Sequence, residues 1–430
     1  MASILIGSIP AHGHVMPMLA VARGLMARGD DVRFITGARY ADQVRTTGAS
    51  HIPLPPEADF DDRDPFAQFP ERAKLKGVKA AAFDIEHIFA QPIKAQYDTL
   101  TAAHADRPAD AVLIEPLFLG GTVLLGHRRP TRPPVVACGV VPLPGPSVDT
   151  APFGMGLQPA RWGNRQRNAV LHALTRRIMR TANDIANGHH HAVHSRPLPC
   201  SLVDWLPLAD AIVQFTVPSF EYPRSDAPPT LHFAGPLHGG GARTPLPDWW
   251  ADLDGTRPVV HVTQGTVANM DYRQAIAPTL QALADEDVLV VVSTGGRPLD
   301  TLPPLPRNAR AATYLPYDEL LPRTSVYVTN GGYGGVQCAL RHGVPIVATG
   351  GKEDKPEVGA RVAWSGVGRR IRSETPSPNQ LRRNILTVLN QPGYRAASKR
   401  IAADIAAAPG FAKLARVVDD LVTHRSTTRA

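Results

Sequence analysis

With 430 residues, the chain is long enough for two domains of about 200 residues, each with its own core. Its 43% hydrophobic and 20% charged residues are typical of a globular protein and exclude a disordered chain. The net charge of +8 favours anionic partners in general. No zinc-finger, RNP or arginine-tract pattern accompanies that charge, so we do not expect a nucleic-acid partner.

The first residues and the cysteines indicate in which cellular compartment the protein is expected. The chain starts directly in an apolar strand without a basic n-region or a cleavage motif, and no apolar run approaches the roughly 20 residues of a membrane span. Cys138, Cys200 and Cys338 are odd in number and far apart, which predicts neither a disulfide framework nor a zinc site. We therefore expect a cytoplasmic protein with at most peripheral membrane contact.

The first 140 residues alternate short apolar strands with longer helical patterns. One amphipathic helix is predicted at 15–29, with Met18, Ala22 and Leu25 on one side and Gly29 at its end. The predicted strands lie at 3–9, 31–36, 111–116 and 135–141. This alternation predicts a parallel sheet covered by helices.

A second series of strands and helices follows residue 258. Its predicted strands lie at 259–264, 288–294, 325–330 and 345–350, and its predicted helices lie near 272–286, 332–342 and 356–365. Between the two series, residues 236–258 are rich in Gly, Pro and Asp and lack periodicity, so we predict a linker that Trp249 and Trp250 anchor. A last helix near 411–424 is expected to close the fold.

These patterns predict an α/β protein in which two Rossmann-like domains face each other across a cleft. The predicted limits are 1–237 for the N-terminal domain, 238–256 for the linker, 257–410 for the C-terminal domain and 411–430 for the C-terminal helix and tail.

The stretch VTNGGYGGVQCALRHGVP, at 328–345, places four glycines where a strand ends and a helix begins. A glycine-rich turn lets backbone N–H groups approach an anion closely, because no Cβ atom stands in the way. The helix N-terminus adds unpaired N–H donors and about half a positive charge. The pattern predicts a phosphate-binding turn, with a simple tight turn as the alternative, since it has neither the dinucleotide-binding register nor the Lys-Ser/Thr of a P-loop.

The residues around this turn resemble the donor-binding signature of family 1 glycosyltransferases, which transfer sugars from nucleotide donors to natural products such as macrolides, flavonoids and sterols. The similar stretch runs from 313 to 368, and PAHGHVMPMLAVARGLMARGDDV, at 10–32, resembles the family's first strand, loop and helix. Segments at 206–223, 233–237 and 259–266 extend the resemblance over nearly the whole chain. The resemblance implies a GT-B architecture, with the acceptor in the N-terminal domain and the nucleotide sugar in the C-terminal domain.

The same resemblance implies an inverting transfer, without a metal or a resident cofactor, from a UDP- or dTDP-sugar to a hydroxyl of an apolar small molecule such as a polyketide, macrolide, flavonoid or lipid. We expect a monomer or a weak dimer. The loops at 55–80 and 143–165 would shape the acceptor pocket. Two alternatives stay open: a nucleotide-sugar epimerase of the same architecture, which needs no external acceptor, and a nucleotide-sugar-binding protein with weak or no transferase activity.

The resemblance also implies a donor site. Its implied residues are Gly265, Thr266, Tyr314, Leu315, Asn330, Gly332, Gly334, Gly335, Gln337, Asp354 and Lys355. The amides of the three glycines at 332, 334 and 335 would hold the diphosphate, with the backbone at 265–266 facing them. Tyr314 would stack on the base, with a plain strand-end aromatic as the alternative, and Leu315 would offer its backbone.

Two positions near the glycines depart from the family pattern. Asn330 stands where the family has a histidine at the α-phosphate, so it can donate a hydrogen bond but carries no positive charge. Cys338 replaces a ribose-binding glutamate. Either Gln337 takes that role, or the ribose is held less firmly, which a thymidine donor lacking the 2′-hydroxyl would tolerate.

A third departure lies in the loop that binds the sugar in the family. Asp354 matches the family pattern there, but Lys355 replaces a glutamine. Lys355 could bind a sugar hydroxyl, meet a phosphate, or pair with Glu353 or Glu357. The identity of the sugar is therefore open.

Transfer to a hydroxyl with inversion needs a base opposite the leaving diphosphate, and neutral imidazole suits proton removal near pH 7. His14, three residues before Pro17, matches the family's catalytic position, and His12, expected in the preceding loop, is the alternative. Glu115 stands at the strand end where the family has the acid that orients the histidine and stabilises the imidazolium. The alternative for Glu115 is a cap of the next helix.

Two other patterns receive structural interpretations. The three consecutive histidines at 189–191, with His194 nearby, do not project to one side of a helix or strand, so a polar loop or helix end is favoured over a metal site. A helix is predicted within 160–186, with arginines on one side and Val170 and Leu174 on another. A core-packing helix with a solvated basic face is favoured there over contact with an anionic membrane or an acidic acceptor.

Overall fold

The structure, a computed structural model, describes residues 1–64, 68–237, 245–267 and 269–429. Residues 65–67 of the predicted acceptor loop and 238–244 of the predicted linker lie outside the described residues. The strands in the described part are β1 (Ser3–Gly7), β2 (Asp31–Thr36), β3 (Ser50–Pro53), β4 (Ala111–Ile114), β5 (Val135–Gly139), β6 (Ala211–Gln214), β7 (Leu231–Phe233), β8 (Val259–Thr263), β9 (Leu289–Ser293), β10 (Ala309–Ala312), β11 (Val326–Thr329), β12 (Ile346–Ala348) and β13 (Gly368–Arg370).

The same part of the chain forms helices that cover these strands. The α-helices are α1 (His12–Ala27), α2 (Ala41–Arg45), α3 (Gly77–Phe83), α4 (Ile93–Asp106), α5 (Gly120–Leu125), α6 (Asn164–Ile178), α7 (Arg180–His194), α8 (Ile276–Leu283), α9 (Tyr317–Leu320), α10 (Tyr333–Arg341), α11 (Lys355–Trp364), α12 (Pro378–Asn390), α13 (Pro392–Ala407) and α14 (Phe411–Arg429). None of the described helices is long and apolar enough to cross a membrane.

The strands form two sheets, and every strand pair in them is parallel. The first sheet has the order β3-β2-β1-β4-β5-β6-β7, and the second has the order β10-β9-β8-β11-β12-β13. The central strands are fully buried runs rich in Val, Ile and Leu, as expected when helices cover both faces. The predicted α/β fold with two parallel sheets is confirmed.

The first helix begins earlier than predicted, at residue 12 instead of 15. The carbonyl of Ala11 accepts the amides of His14 and Val15, both at 2.9 Å, so the loop after β1 turns directly into the helix. His12 is therefore the first helical residue and not a loop residue. The predicted buried side, including Met18 and Leu25, does face the core.

The helix predicted within 160–186 is two helices, because the chain breaks at Met179 between α6 and α7. The expected core packing of α6 is wrong. Val170 and Leu174 are 68% and 48% exposed, and the buried residue of α6 is Asn168. The amide of Asn168 donates to the carbonyl of Val148 at 3.0 Å, so a polar contact, and not an apolar face, holds this helix.

The last helix, α14, returns to the N-terminal sheet. Leu414, Val417 and Val418 are buried in the same core as the first two strands and α1. The ring of Phe411 lies so close to Gly24 that a Cβ atom there would come within 2.5 Å of it. The C-terminal helix thus completes the core of the N-terminal domain.

The tryptophan pair anchors the described end of the linker. The indole N–H of Trp249 donates to the carbonyl of Ala311 at 3.1 Å, and the guanidinium of Arg323 lies 5.7 Å from the ring centre of Trp250. Both rings pack against a small core in which Leu253 lies with residues of β8 and β9. The linker is therefore fixed to the C-terminal domain at this end.

Candidate active site

The predicted site residues follow the strands at which each sheet reverses its order. In the first sheet the reversal lies between β1 and β4; α1, which carries His14, follows β1, and Glu115 follows β4. In the second sheet it lies between β8 and β11, which are followed by Gln264 and Asn330. Open α/β sheets bind ligands at such points, outside the carboxyl ends of their strands. Both halves of the predicted site therefore lie where this fold binds ligands.

The structure brings His14 and Glu115 together. Nδ1 of His14 lies 2.7 Å from Oε2 of Glu115, whose side chain is fully buried. The main-chain N–H groups of Ile9 and Leu117 donate to the same carboxylate at 3.1 and 2.9 Å. Because a carboxylate only accepts, Nδ1 carries the proton and Nε2 is the basic nitrogen of the neutral ring. Glu115 is not the cap of the next helix, since Leu119 occupies the N-cap position of α5.

The surroundings of His14 favour its charged form. Burial lowers the pKa of the ring, and the charge and the hydrogen bond of Glu115 are the strongest of the effects that oppose burial. Asp354 and Asp62 add to the attraction, and the pKa of His14 ends above its ordinary value. Asp354 belongs to the C-terminal domain, so the ring is within electrostatic reach of the opposite wall of the cleft. An imidazolium formed by taking up a proton is stabilised here.

His12 has a different environment. Its main-chain N–H donates to Asp62 at 2.6 Å, and Asp62 also pairs with Arg39. Burial lowers the pKa of the His12 ring; Asp62 opposes this shift, and Arg39 adds to it. His14, and not His12, is therefore the histidine that pairs with the buried carboxylate.

The glycine-rich turn has open space beside its backbone. Gly332 is the N-cap of α10, and a Cβ atom built on Gly332 or on the exposed Gly334 would have no neighbouring atom within 4 Å. At Gly335, by contrast, a Cβ atom would lie 2.5 Å from the hydroxyl of Tyr327. Packing therefore explains Gly335 but not the other two. Their bare backbone borders space that an anion could fill at the start of a nine-residue helix.

Asn330 ties this turn to the one after β8. Its side-chain amide donates to the main-chain carbonyl of Gln264 at 2.9 Å, and its side chain is buried. Gly265 and Thr266, which follow Gln264, are exposed, and Gly265 has a φ of +73°. The two turns predicted to face each other across the diphosphate are thus neighbours.

Tyr314 and Leu315 lie just after the end of β10. Tyr314 is 52% exposed and its hydroxyl approaches Gly296, whereas Leu315 is buried in the core that includes Leu253. An aromatic ring that is half exposed at the carboxyl edge of a sheet can receive a planar base.

Gln337 contacts the other domain. Its side-chain amide donates to the hydroxyl of Thr216 at 2.8 Å, although the two residues are 121 positions apart. Burial raises the pKa of the neighbouring Cys338 to about 11, so this thiol stays neutral. The acceptor atom of Gln337, Oε1, is buried without a hydrogen-bond partner among the described residues, so Gln337 offers one accepting oxygen where the family's glutamate offers two.

The loop before α11 shows which interaction Lys355 makes. Its ammonium group pairs with Glu353, which has a φ of +58°, so the salt-bridge alternative is the one observed. Burial raises the pKa of Asp354 to about 6, with Lys355 opposing the shift and Glu353 adding to it. The charge of His14, in the other domain, also opposes this rise in the pKa of Asp354. Asp354 is thus a carboxyl group of the donor side that lies within electrostatic reach of the candidate base.

The histidine run lies at a helix end, as the structural interpretation predicts. Residues 189–191 belong to the last turns of α7, and His190 is buried there. The ring of His194 contacts the carbonyl of Val123 at 2.8 Å. Among the described residues, no group of three His, Cys, Asp or Glu side chains is arranged to hold a metal ion.

Sequence reasoning missed a buried ionic cluster beside the site. It consists of Glu221, Glu357 and Arg361, and it joins the two domains. Glu221 lies in a segment that resembles the family, and Glu357 was considered only as a partner of Lys355. The signal was present as an arginine four residues after a glutamate on a predicted helix, but that spacing more often marks an exposed pair.

Two facing α/β sheets, with a histidine–carboxylate pair on one and a glycine-rich helix start on the other, define the GT-B class of nucleotide-sugar-dependent glycosyltransferases. Residues 277–422 match the family described as "Erythromycin biosynthesis protein CIII-like, C-terminal domain". The chain is 39% identical over 430 residues to 4'-demethylrebeccamycin synthase of Lentzea aerocolonigenes, covering 98% of this chain and 100% of that protein. It is 33% identical to UDP-glycosyltransferase 2 of Phaeomoniella chlamydospora, covering 97% and 95%.

A solved structure agrees with this class. The fold matches the glycotransferase of kitacinnamycin with a TM-score of 0.74 at 20% identity, over 98% of each chain. The chain therefore belongs to the family 1 glycosyltransferases, and it is a glycosyltransferase. Neither the epimerase nor the binding-protein alternative finds support among these relatives.

Proposed function

We propose that this glycosyltransferase moves a sugar, with inversion, from a UDP- or dTDP-sugar to a hydroxyl of an apolar natural product such as a polyketide, macrolide, flavonoid or lipid. The observation that carries the proposal is the hydrogen bond between His14 and the buried Glu115, within electrostatic reach of Asp354 of the other domain. The relatives support it by their names, since one is a 4'-demethylrebeccamycin synthase and another a UDP-glycosyltransferase.

In the proposed reaction His14 is the general base. Its Nε2 accepts the proton of the acceptor hydroxyl while the hydroxyl oxygen forms a bond to the anomeric carbon. The bond from that carbon to the diphosphate oxygen breaks on the opposite face, so the configuration inverts. Glu115 stabilises the imidazolium and fixes the ring, and a base of this kind contributes about 10²–10⁴-fold to the rate.

The leaving diphosphate would bind at the start of α10. The amides of Gly332, Gly334 and Gly335 and the positive end of the helix would take up its negative charge. Asn330 would add a neutral donor in place of the family's histidine. Because the backbone supplies this stabilisation, we propose no metal and no resident cofactor for the transfer.

The side chains of the donor site support the proposal that the ribose hydroxyls are held less firmly than in the family. Cys338 is a neutral thiol and Gln337 an amide, so neither position supplies the carboxylate that would hold both ribose hydroxyls. A thymidine donor, which has no 2′-hydroxyl, would lose little here. Lys355 is paired with Glu353, which leaves Asp354 as the proposed partner of the sugar hydroxyls.

The remaining proposals concern the setting of the enzyme. The three cysteines are free, which supports a reducing cytoplasm. A monomer or weak dimer and at most peripheral membrane contact also stay predictions from the sequence.

The test is a product analysis with a donor panel. The purified protein is incubated with UDP-glucose or thymidine-linked deoxysugars and with hydroxylated apolar acceptors such as a flavonol. We expect a glycoside whose anomeric configuration, read by NMR, is opposite to that of the donor. An epimerised sugar, binding without turnover, or a product of retained configuration would each contradict the proposal.

A further inference from the structure

A buried cluster of three charged side chains crosses the domain boundary. Arg361, on α11, donates from Nε to Oε2 of Glu221 at 2.7 Å and from Nη1 to Oε2 of Glu357 at 2.8 Å. The three side chains are at most 6% exposed, and the guanidinium lies 4.4 Å from the ring centre of Tyr222. Buried ion pairs are costly to desolvate and often stabilise no more than apolar residues would. A role beyond stability is therefore expected.

The other oxygens of the two glutamates hold both ends of one segment, residues 143–158, which we name the acceptor-side segment. Oε1 of Glu221 accepts the N–H of Leu143 at 2.9 Å. Oε1 of Glu357 accepts the N–H groups of Gly154 and Gly156, at 3.1 and 2.7 Å. The segment belongs to the N-terminal domain, but its far end is held by a helix of the C-terminal domain.

Gly156 is the point of closest approach. Its φ is +58°, and a Cβ atom there would lie 2.5 Å from the carbonyl oxygen of Pro356. Its own carbonyl accepts from Nη1 of Arg370 at 2.6 Å. Two residues on, the amide of Gln158 donates to the carbonyl of Ala360 at 3.0 Å. The backbone therefore docks on α11 so closely that no side chain fits between them.

The helix that holds this segment also carries the donor loop. α11 begins at Lys355, directly after Asp354, the residue of the donor domain that lies within electrostatic reach of His14. Glu357 and Arg361 follow within the first two turns. A short rigid helix thus connects the acceptor-side segment to the proposed sugar-binding loop.

We propose that Glu357 and Arg361 are positioning residues, which hold the acceptor-side segment against α11 so that the acceptor hydroxyl is aligned with the sugar. This inference rests on the proposed function, since it assigns the segment to the acceptor pocket. Neither residue is proposed to touch the reacting atoms. A substitution far from the reacting atoms that displaces a substrate by about 1 Å can lower the rate by about 10²-fold. Loss of this alignment is therefore expected to lower the rate of transfer.

Gly156→Ala tests the contact without changing a charge. Gly163→Ala is the matched control, because Gly163 also has a positive φ of +61° but has no atom within 4 Å of an added Cβ. Hydrogen exchange measured by mass spectrometry should show about tenfold faster exchange of the peptide at 152–158 in Gly156→Ala, and no change there in Gly163→Ala. Equal exchange in the two variants would overturn the proposal.

Glu357→Gln tests whether the negative charge of Glu357 is needed to position the acceptor-side segment. Asp210→Asn is its control, because Arg132 and Asp210 form a buried pair at 2.5 Å within the N-terminal domain alone. With UDP-glucose or dTDP-glucose as donor and a flavonol as acceptor, Glu357→Gln should raise the acceptor KM by about tenfold and release more nucleotide per glycoside formed, while the donor KM changes little. Asp210→Asn should keep the wild-type ratio of nucleotide to glycoside.

Two outcomes contradict the positioning role: an unchanged acceptor KM and ratio in Glu357→Gln, or the same change in Asp210→Asn, since the cluster would then serve stability only. If the wild-type protein neither transfers nor hydrolyses a donor, the proposed function fails instead. The exchange comparison of Gly156→Ala and Gly163→Ala needs no activity and still decides whether the segment is held by α11.

Discussion

His14 and His12 lie two residues apart at the start of one helix, yet their rings have opposite electrostatic environments. Burial lowers the pKa of both rings. Around His14 the buried carboxylate of Glu115, together with Asp354 and Asp62, raises the pKa above its ordinary value, whereas around His12 the attraction of Asp62 does not offset burial. The strongest difference between the two positions is thus the carboxylate of Glu115, which lies 101 residues from His14 in the sequence.

This difference predicts unequal effects of two matched substitutions. His14→Ala should lower kcat by about 10³-fold, because it removes the base, whereas His12→Ala should lower it by less than about tenfold. Steady-state kinetics of both variants, with folding checked by circular dichroism, measures the comparison. A larger loss in His12→Ala would reverse the assignment of the base.

The pH dependence follows from the same pair. The base must be unprotonated, so kcat/KM should rise with pH through a pKa above the ordinary histidine value of about 6.5. In Glu115→Gln the charge that raises this pKa is lost while burial remains, so the midpoint should move to lower pH and the plateau should fall. Profiles of kcat/KM between about pH 5 and 9 test this. A midpoint that stays in place or moves up would show that Glu115 does not act on the base.

At the scale of elements, the eight predicted strands agree within two residues with β1, β2, β4, β5, β8, β9, β11 and β12, whereas β3, β6, β7, β10 and β13 were not predicted. Buried parallel strands are continuous runs of Val, Ile and Leu, and β2 was predicted with its observed limits. The start of α1 was missed because Ala11 carries no capping side chain. The break at Met179 was missed because neither Gly nor Pro marks it.

The candidate site was predictable where its parts are local in sequence. The glycine turn and His14 each follow a strand, and the structure places them there. The contact between His14 and Glu115, 101 residues apart, was expected only from the resemblance to the family. Contacts between distant residues that the resemblance does not cover were not predictable. Lys355 pairs with Glu353 beside it, but Arg361 pairs with Glu221, 140 residues away, and no local pattern links those two. Such partners depend on how the domains meet, which a single sequence does not specify.

The start of α10 carries a prediction about metals. If backbone amides and the helix dipole stabilise the leaving diphosphate, excess EDTA should leave the transfer rate unchanged, and added Mg²⁺ should not raise it. Initial rates with and without chelator measure this. A loss of activity that Mg²⁺ restores would assign the stabilisation to a metal ion instead.

At the scale of the whole molecule, the C-terminal helix α14 packs in the core that the first strands and the first helix of the chain form. Leu414 is fully buried among residues of β1, β2 and α1. Leu414→Ala should therefore lower the free energy of unfolding by about 2–5 kcal/mol. The control Leu305→Ala, at a side chain that is 42% exposed, should cost about 0.5 kcal/mol or less. Equal losses in denaturant titrations would show that α14 is not part of this core.

The return of α14 has a consequence for biosynthesis. Proteins are made from the N-terminus at about 5–20 residues per second, and domains generally fold as they emerge. Here the first domain lacks part of its interior until the final 19-residue helix leaves the ribosome. Until then, the residues of β1, β2 and α1 against which Leu414, Val417 and Val418 pack stay uncovered while the second domain is translated.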